Sequence, residues 1–534
     1  MNLGNGKIAF LVIFLIISLV ACSNNNIGNT KESEDTVKKL TISWNKDIGE
    51  INPHMYAPNE MYAQDMVYES LVRYGEKGKI EPGLAKEWDI SKDGKEYIFH
   101  LREGIKFSDG SEFNASIVKK NFDAILSNAE RHNWIEAINQ IENTSIIDES
   151  TFKITLKNSY YPLLQDLTLV RPFRFLGEAG FPEDGNTAEG IKQPIGTGPW
   201  VLSEYKQDEV AVFKQNEFYW GEKPKIEELE VKIIPDGESR VIAFENGEID
   251  LILGTGLISL DSFQFLKDSG NYQTGISNPL ATRTIAINSN KEITKDLAVR
   301  QAVQHAFNKQ AVIDYLFYGT EQKADTLFAS NVPYSDLDLN PYGYDVEKAK
   351  SLLEEAGWKL NEETGLREKD GQSLELDLVI EATDNIQKSI AETLQGDLEK
   401  VGIRLHINSV ENQSYLDRQK DGDFHLIFNT TWGAPYEPHT YLSSMRKPAH
   451  ADYQAQLGLP MKEEIDKKIG EVLLTTDKTE RQELYKYILG TLHEQAVYLP
   501  ISYSSNIAVY HDYVSGVEFP NMNYILPTQG IDLK

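Results

Sequence analysis

Residues 84–122 read LAKEWDISKDGKEYIFHLREGIKFSDGSEFNASIVKKNF. Inside this stretch, 97–101 (YIFHL) alternates with the period of a strand, and 104–109 leads into a helix predicted over 116–128. The same succession continues on either side. Upstream, 39–44 (KLTISW) alternates like a strand. Downstream, apolar residues at 299, 302, 303, 306, 307, 312 and 313 fit one face of a helix over 298–315. At 345–356 (DVEKAKSLLEEA), Asp345 stands as N-cap and Gly357 follows the C-terminal end. Strands at 375–381, 402–407 and 424–428 are separated by a helix at 385–400, and two more helices fall at 463–473 and 480–494. Strands and helices that alternate without an internal repeat indicate an α/β chain.

The chain of 534 residues is long enough for two to four domains with an ample core. Its 40% hydrophobic and 10% aromatic content belongs to folded globular proteins. With 82 acidic against 53 basic residues the net charge is −29, which repels phosphate backbones, so no nucleic acid is expected as a partner. The single Cys excludes an intrachain disulfide and a cysteine-cluster metal site.

Catalytic motifs fail one by one. HEQAV at 493–497 has Val where a zinc-protease helix needs its second His. Asp336, Asp338 and Asn340 imitate a calcium loop, but Pro341 occupies the position that must turn as Gly. Gly196-Thr197-Gly198 and Gly254-Thr255-Gly256 lack the third Gly of a dinucleotide loop, and no two His stand at i, i+4. A binder, not an enzyme, is expected.

Residues 1–22 (MNLGNGKIAFLVIFLIISLVAC) place Lys7 before an apolar run from 8 to 20, too short to span a hydrocarbon core of about 30 Å. This is the pattern of a secretory signal peptide over 1–21. Its end, LVAC at 19–22, resembles the bacterial lipoprotein box, which implies a diacylated Cys22 as mature N-terminus and a stable lipid anchor. Residues 23–38 are nearly devoid of apolar side chains and read as a disordered tether, leaving a body from about 39 to 534 at the outer face of the cell membrane.

The stretch 84–122 resembles the extracellular solute-binding proteins of oligopeptide, dipeptide and nickel ABC importers. GTGPW at 196–200, NEFYWGEKP at 216–224, VRQAVQHAFNK at 299–309 and YDVEKAKSLLEEAGW at 344–358 extend that likeness along the body. The resemblance implies a two-lobe periplasmic-binding-protein-like fold with an extra subdomain in the N-terminal lobe. Lobe I with the subdomain is expected over 39–280, lobe II over 281–503, and a return to lobe I over 504–534. It also implies a monomer that meets the permease subunits of an ABC importer.

Within that family the likeness is strongest to the nickel-binding members, and it rests on ERHNW (130–134), LVRPFRF (169–175) and TWGAPYEPHTYLSSMRKPAHADYQAQ (431–456). Arg131 and Arg171 offer guanidinium forks suited to carboxylates. Trp134, Trp432 and Tyr436 supply flat walls, and His450 supplies an imidazole suited to nickel, copper or zinc. The resemblance implies that the Arg pair grips the carboxylates of a small chelator, that His450 completes the metal's coordination, and that Tyr56 and Met61 line the pocket. His54, His100, His132, His425 and His439 read as surface or satisfied core residues, His439 standing eleven residues from His450 in the same stretch. Tyr524 stands where the nickel-binding members carry a smaller hydroxyl residue, and Tyr415 lies one register from a family tyrosine, at Leu416. The loop 446–452 (RKPAHAD) reads as polar and mobile.

Nickel(II) takes four to six donors and the chain offers one convincing ligand, His450. The remaining donors are expected from a small chelator such as free histidine or a polycarboxylate, so nickel arrives as a chelate ligand with no permanently bound cofactor. Di- or oligopeptide binding is the competing reading, disfavoured because a peptide amine needs an acidic anchor. A cobalt or zinc metallophore complex is a variant of the first.

Overall fold

Side-chain caps open the helices that position everything else. The computed structural model describes residues 37–534. The expected signal peptide over 1–21, Cys22 and all but the last two residues of the expected tether over 23–38 lie outside the described residues. Asn114 caps Ala115–Ser127 by accepting from the N–H groups of Ser116 (3.0 Å) and Ile117 (3.2 Å). Asp345 accepts from Lys348 N at 2.8 Å to start Val346–Glu355, and Asp384 starts Asn385–Glu399 in the same manner. The helix expected over 298–315 is two, Leu297–Ala306 and Lys309–Tyr315. Phe307 takes an extended conformation, Asn308 caps the second helix through Ala311 N, and Asn308 N donates to Asp397 Oδ2 at 2.9 Å. Both pieces bury apolar residues in one core, Val299, Ala302, Val303 and Ala306 from the first and Val312 and Ile313 from the second.

Two mixed sheets form the centre. The first has seven strands in the order Gln273–Ile276, Ile507–Tyr510, Leu251–Gly254, Lys39–Trp44, Glu228–Ile233, Val210–Gln215, Trp200–Lys206. Its middle strand pairs in parallel on both sides, with Ile42 opposite Val231 and Leu251. The second has six strands in the order Gln322–Lys323, Tyr498–Ser504, Ala281–Ile287, Leu426–Thr430, Glu375–Glu381, Arg404–Val410. Here Leu376, Leu378, Val379 and Ile380 are all buried, so Glu375–Glu381 is covered on both faces, as parallel pairing demands. The strand expected from 402 begins at Arg404, because Gly402 (φ +82°) and Ile403 still close the end of the preceding helix on the carbonyls of Glu399 and Leu398.

A separate antiparallel sheet of four strands, Ala85–Ile90, Glu96–Leu101, Thr151–Leu156 and Ile141–Asp148, backs on Ala115–Ser127. Phe122 stacks on Phe152 with centroids 5.2 Å apart.

Among the described residues two short segments, 277–280 and 505–506, join strands of the two large sheets at one place, and they bond to each other. Ser277 N donates to Asn506 O (2.9 Å), Asn506 N to Ser277 Oγ (2.8 Å) and Leu280 N to Ser504 O (2.9 Å). Among the described residues no helix is long and apolar enough to cross a membrane.

Candidate functional site

The loop 431–438 follows the strand Leu426–Thr430 and is tied back at both ends. Thr431 N donates to Thr282 O (3.0 Å) and Thr431 Oγ1 accepts from Thr282 N (2.8 Å). Gly433 turns with φ +73°, and a Cβ there would strike Leu280 O and the Asn523 side chain. The buried Glu437 carboxylate accepts from Gly433 N at 2.6 Å, and Gln165 Nε2 donates to the carbonyls of Pro435 (2.7 Å) and Glu437 (3.0 Å). This lacing projects Trp432 and Tyr436 from one side of the loop. Burial pushes the Glu437 carboxyl up to about 7, against the Thr431, Gly433 and Trp432 donors.

The short helix Ala129–His132 brings Arg131, His132 and Trp134 against the loop that holds Tyr56. Trp134 Nε1 donates to the Tyr56 hydroxyl (2.9 Å), whose other partner is His132 Nδ1 (2.8 Å). Arg131 and Arg171 both lie over the Tyr56 ring, their guanidinium carbons 4.7 and 5.4 Å from its centroid. Arg171 also donates to Asn59 O at 2.8 Å. Burial pulls the Arg171 guanidinium below its ordinary value, opposed by Tyr436, Tyr56 and Glu60. Burial raises the Tyr56 phenol well above its ordinary value and the Tyr436 phenol to about 12. Burial, helped by Arg131, lowers His132 to about 4.

The aromatic walls interlock. Trp134, Trp432 and Tyr436 stand in a triangle with every pair of ring centroids 6.1 Å apart. His450 meets Trp432 edge-on at 5.6 Å, and the Tyr436 hydroxyl lies 3.9 Å from Met61 Sδ. Met61, Trp134, Trp432, Tyr436 and His450 line one cavity of about 480 Å³. Tyr56, Arg131 and Arg171 adjoin it behind Trp134 and beside Tyr436. The cavity is also lined by Thr431, Ser443, Ser444, Lys447 and Ala449, which carried no signal in the sequence beyond membership of the 431–456 stretch, and by Thr430, which carried none. Tyr524, turning with φ +68°, lines it as well.

Other candidates lie elsewhere. His439 is fully buried with Nε2 2.7 Å from Asp166 Oδ1, a structural pair away from the cavity lining. His54 is buried between Thr187 Oγ1 (2.8 Å) and Asn121 Oδ1 (3.0 Å). Tyr415 is buried and donates to Phe428 O at 2.5 Å. The loop 446–452 is not polar throughout: Ala451 and Asp452 are buried, because His450 opens the helix Ala451–Gln456 and turns its first residues inward. Among the described residues no three His, Cys, Asp or Glu side chains converge on a metal-holding group.

Known proteins fall in line with this geometry. Residues 79–453 match the family described as bacterial extracellular solute-binding proteins, family 5 Middle. Over 495 residues the chain is 48% identical to the nickel-binding periplasmic protein of Escherichia coli K12, covering 92% of this chain and 93% of that one. It superposes on the crystal structure of NikA from Brucella suis in complex with Fe(III)-EDTA with a TM-score of 0.91 at 51% identity, covering 93% and 100% of the two chains. With NikZ from Campylobacter jejuni in complex with Ni(L-His) the TM-score is 0.77 at 26% identity, again covering 93% and 100%. The α/β, two-lobe fold with an extra subdomain is thus the periplasmic-binding-protein type. The chain belongs to the bacterial extracellular solute-binding proteins of family 5, and it is a binding protein rather than an enzyme.

Proposed function

We propose that this chain captures a nickel(II) complex of a small chelator, such as nickel–histidine or a nickel polycarboxylate, and delivers it to the permease of an ABC importer. The observation that carries this reading is the division of labour around one cavity. His450 stands on an aromatic-walled cavity of about 480 Å³, while Arg131 and Arg171 share the Tyr56 ring next to it. One imidazole cannot hold a hydrated divalent ion tightly, but it completes a coordination sphere that a chelator has nearly filled. The two guanidinium groups offset the chelator's surplus carboxylate charge. The nickel-binding protein of E. coli and the Fe(III)-EDTA and Ni(L-His) complexes of related chains support this choice of ligand class.

Lobe I over 39–280 and 504–534, and lobe II over 281–503, would close on the ligand about the paired segments 277–280 and 505–506. The single Cys at the end of the N-terminal apolar run supports a lipid anchor at the outer membrane face, checked by whether the mature chain partitions into detergent. The proposal as a whole is tested by calorimetry with nickel plus histidine. Replacing Arg171 by Ala leaves a chelate carboxylate without its cation and should cost ~2–5 kcal/mol, about 30-fold or more in affinity. Unchanged affinity would show that the carboxylate clamp is elsewhere.

A further inference from the structure

A second chamber of about 290 Å³ continues from the main cavity past His450 and Trp432, which line both. Its own walls are of a different kind. Beside the Tyr415 ring it is walled by Gln387, Gln419, Asn429 and Asp452, and among the described residues no Lys or Arg lines it. Asp452 is 1% exposed, and Tyr441 (2.7 Å), Tyr498 (2.9 Å) and Asn429 (3.0 Å) all donate to its Oδ1. A carboxylate has about four acceptor positions over two oxygens, so Oδ2 retains acceptor capacity toward the chamber. Gln387 Oε1 is occupied by Glu381 N (3.0 Å), which leaves its amide NH₂ as the group available there.

The site therefore sorts charge about the metal ligand. Cations stand on the main-cavity side, Arg131 and Arg171 over Tyr56 and Lys447 in the cavity wall, and the Asp452 carboxylate stands beyond His450. We propose that this chamber is a subsite for an uncoordinated, ammonium-bearing arm of the chelator, so that the protein prefers zwitterionic chelates to purely anionic ones. A buried carboxylate already held by three donors is preorganised to receive an ammonium group and repels a carboxylate arm. The volume holds on the order of ten waters, room enough for a short alkyl amine. This inference rests on the chelate reading, with His450 at the metal.

The test uses three nickel complexes: nitrilotriacetate, nitrilotriacetate carrying a four-carbon aminoalkyl arm, and the same armed chelator with its amine acetylated. The quantity read is the affinity ratio of armed to unarmed complex within each protein. In the wild type the amine arm should tighten binding about tenfold, and acetylation should abolish the gain. Asp452→Asn keeps Oδ1 for its three donors and replaces Oδ2 by NH₂, so the ratio should fall to about one. Gln419→Leu, which leaves the carboxylate in place, should retain most of the gain. If nickel–nitrilotriacetate binds but the arm adds nothing, or adds as much when acetylated, the subsite is refuted alone. If no nickel complex binds, the chelate reading falls and takes this inference with it.

Discussion

The Tyr56 phenol has one proton and two nitrogen neighbours. The Trp134 indole N–H can only donate, so the hydroxyl accepts there and its own proton is available to His132 Nδ1. Burial and Arg131 both favour the neutral imidazole, lowering its pKa to about 4. Its Nε2 is buried without a partner, so the imidazole is kept for what it does to Tyr56. Since both guanidinium groups lie over the Tyr56 ring, we propose that His132 positions that ring beneath them. His132→Ala should weaken nickel–histidine binding by about threefold to tenfold, whereas His132→Asn, whose Oδ1 replaces Nδ1 as acceptor, should restore most of the loss. Equal losses in both variants, read by calorimetry, would reduce His132 to filling space. The sequence left His132 as a surface or satisfied core histidine and no more. Its partner is 76 residues away in the chain, beyond the reach of local pattern.

At the scale of elements, caps and apolar periodicity made most helices readable, since both act within one or two turns. The break at Phe307–Asn308 was hidden because Asn308 answers to Asp397, on a different helix. The inward turn of Ala451 and Asp452 was hidden for the same kind of reason: Asp452 is buried by Tyr441 and Tyr498. The loop 431–438 makes the tightest case, held from within by Glu437. Folding raises that carboxyl from an ordinary 4.5 to about 7, so the folded chain keeps a proton that the unfolded chain releases between those values. Its contribution to stability is therefore fully present below about pH 4.5 and is lost as pH rises through 7. Urea unfolding should show the wild type losing of order 2 kcal/mol relative to Glu437→Gln between pH 5 and 7.5. Parallel pH profiles of the two proteins would contradict this. His54 and His132, both lowered to about 4, act oppositely: their contribution is present above about pH 6.5 and fades as pH falls through 4. They are common to both proteins and cancel in the comparison.

For the whole molecule, the two large sheets, the bonded segments 277–280 and 505–506, and a cavity walled from both early and late parts of the chain suit closure around a compact guest. The family likeness was legible because its motifs are local, whereas the juxtaposition of Met61 and Trp134 with Trp432 and His450 is a product of the fold. The central claim is that the guest is a metal complex and not a bare ion. It is tested most directly by titrating wild type and His450→Ala with nickel alone, nickel plus histidine, and nickel plus a six-donor chelator. Bare nickel should bind both proteins weakly. Nickel–histidine should bind the wild type tightly and the variant at least about tenfold less tightly, and the saturated six-donor complex should bind the two nearly alike. Tight binding of bare nickel by the wild type, with no gain from added histidine, would contradict the account.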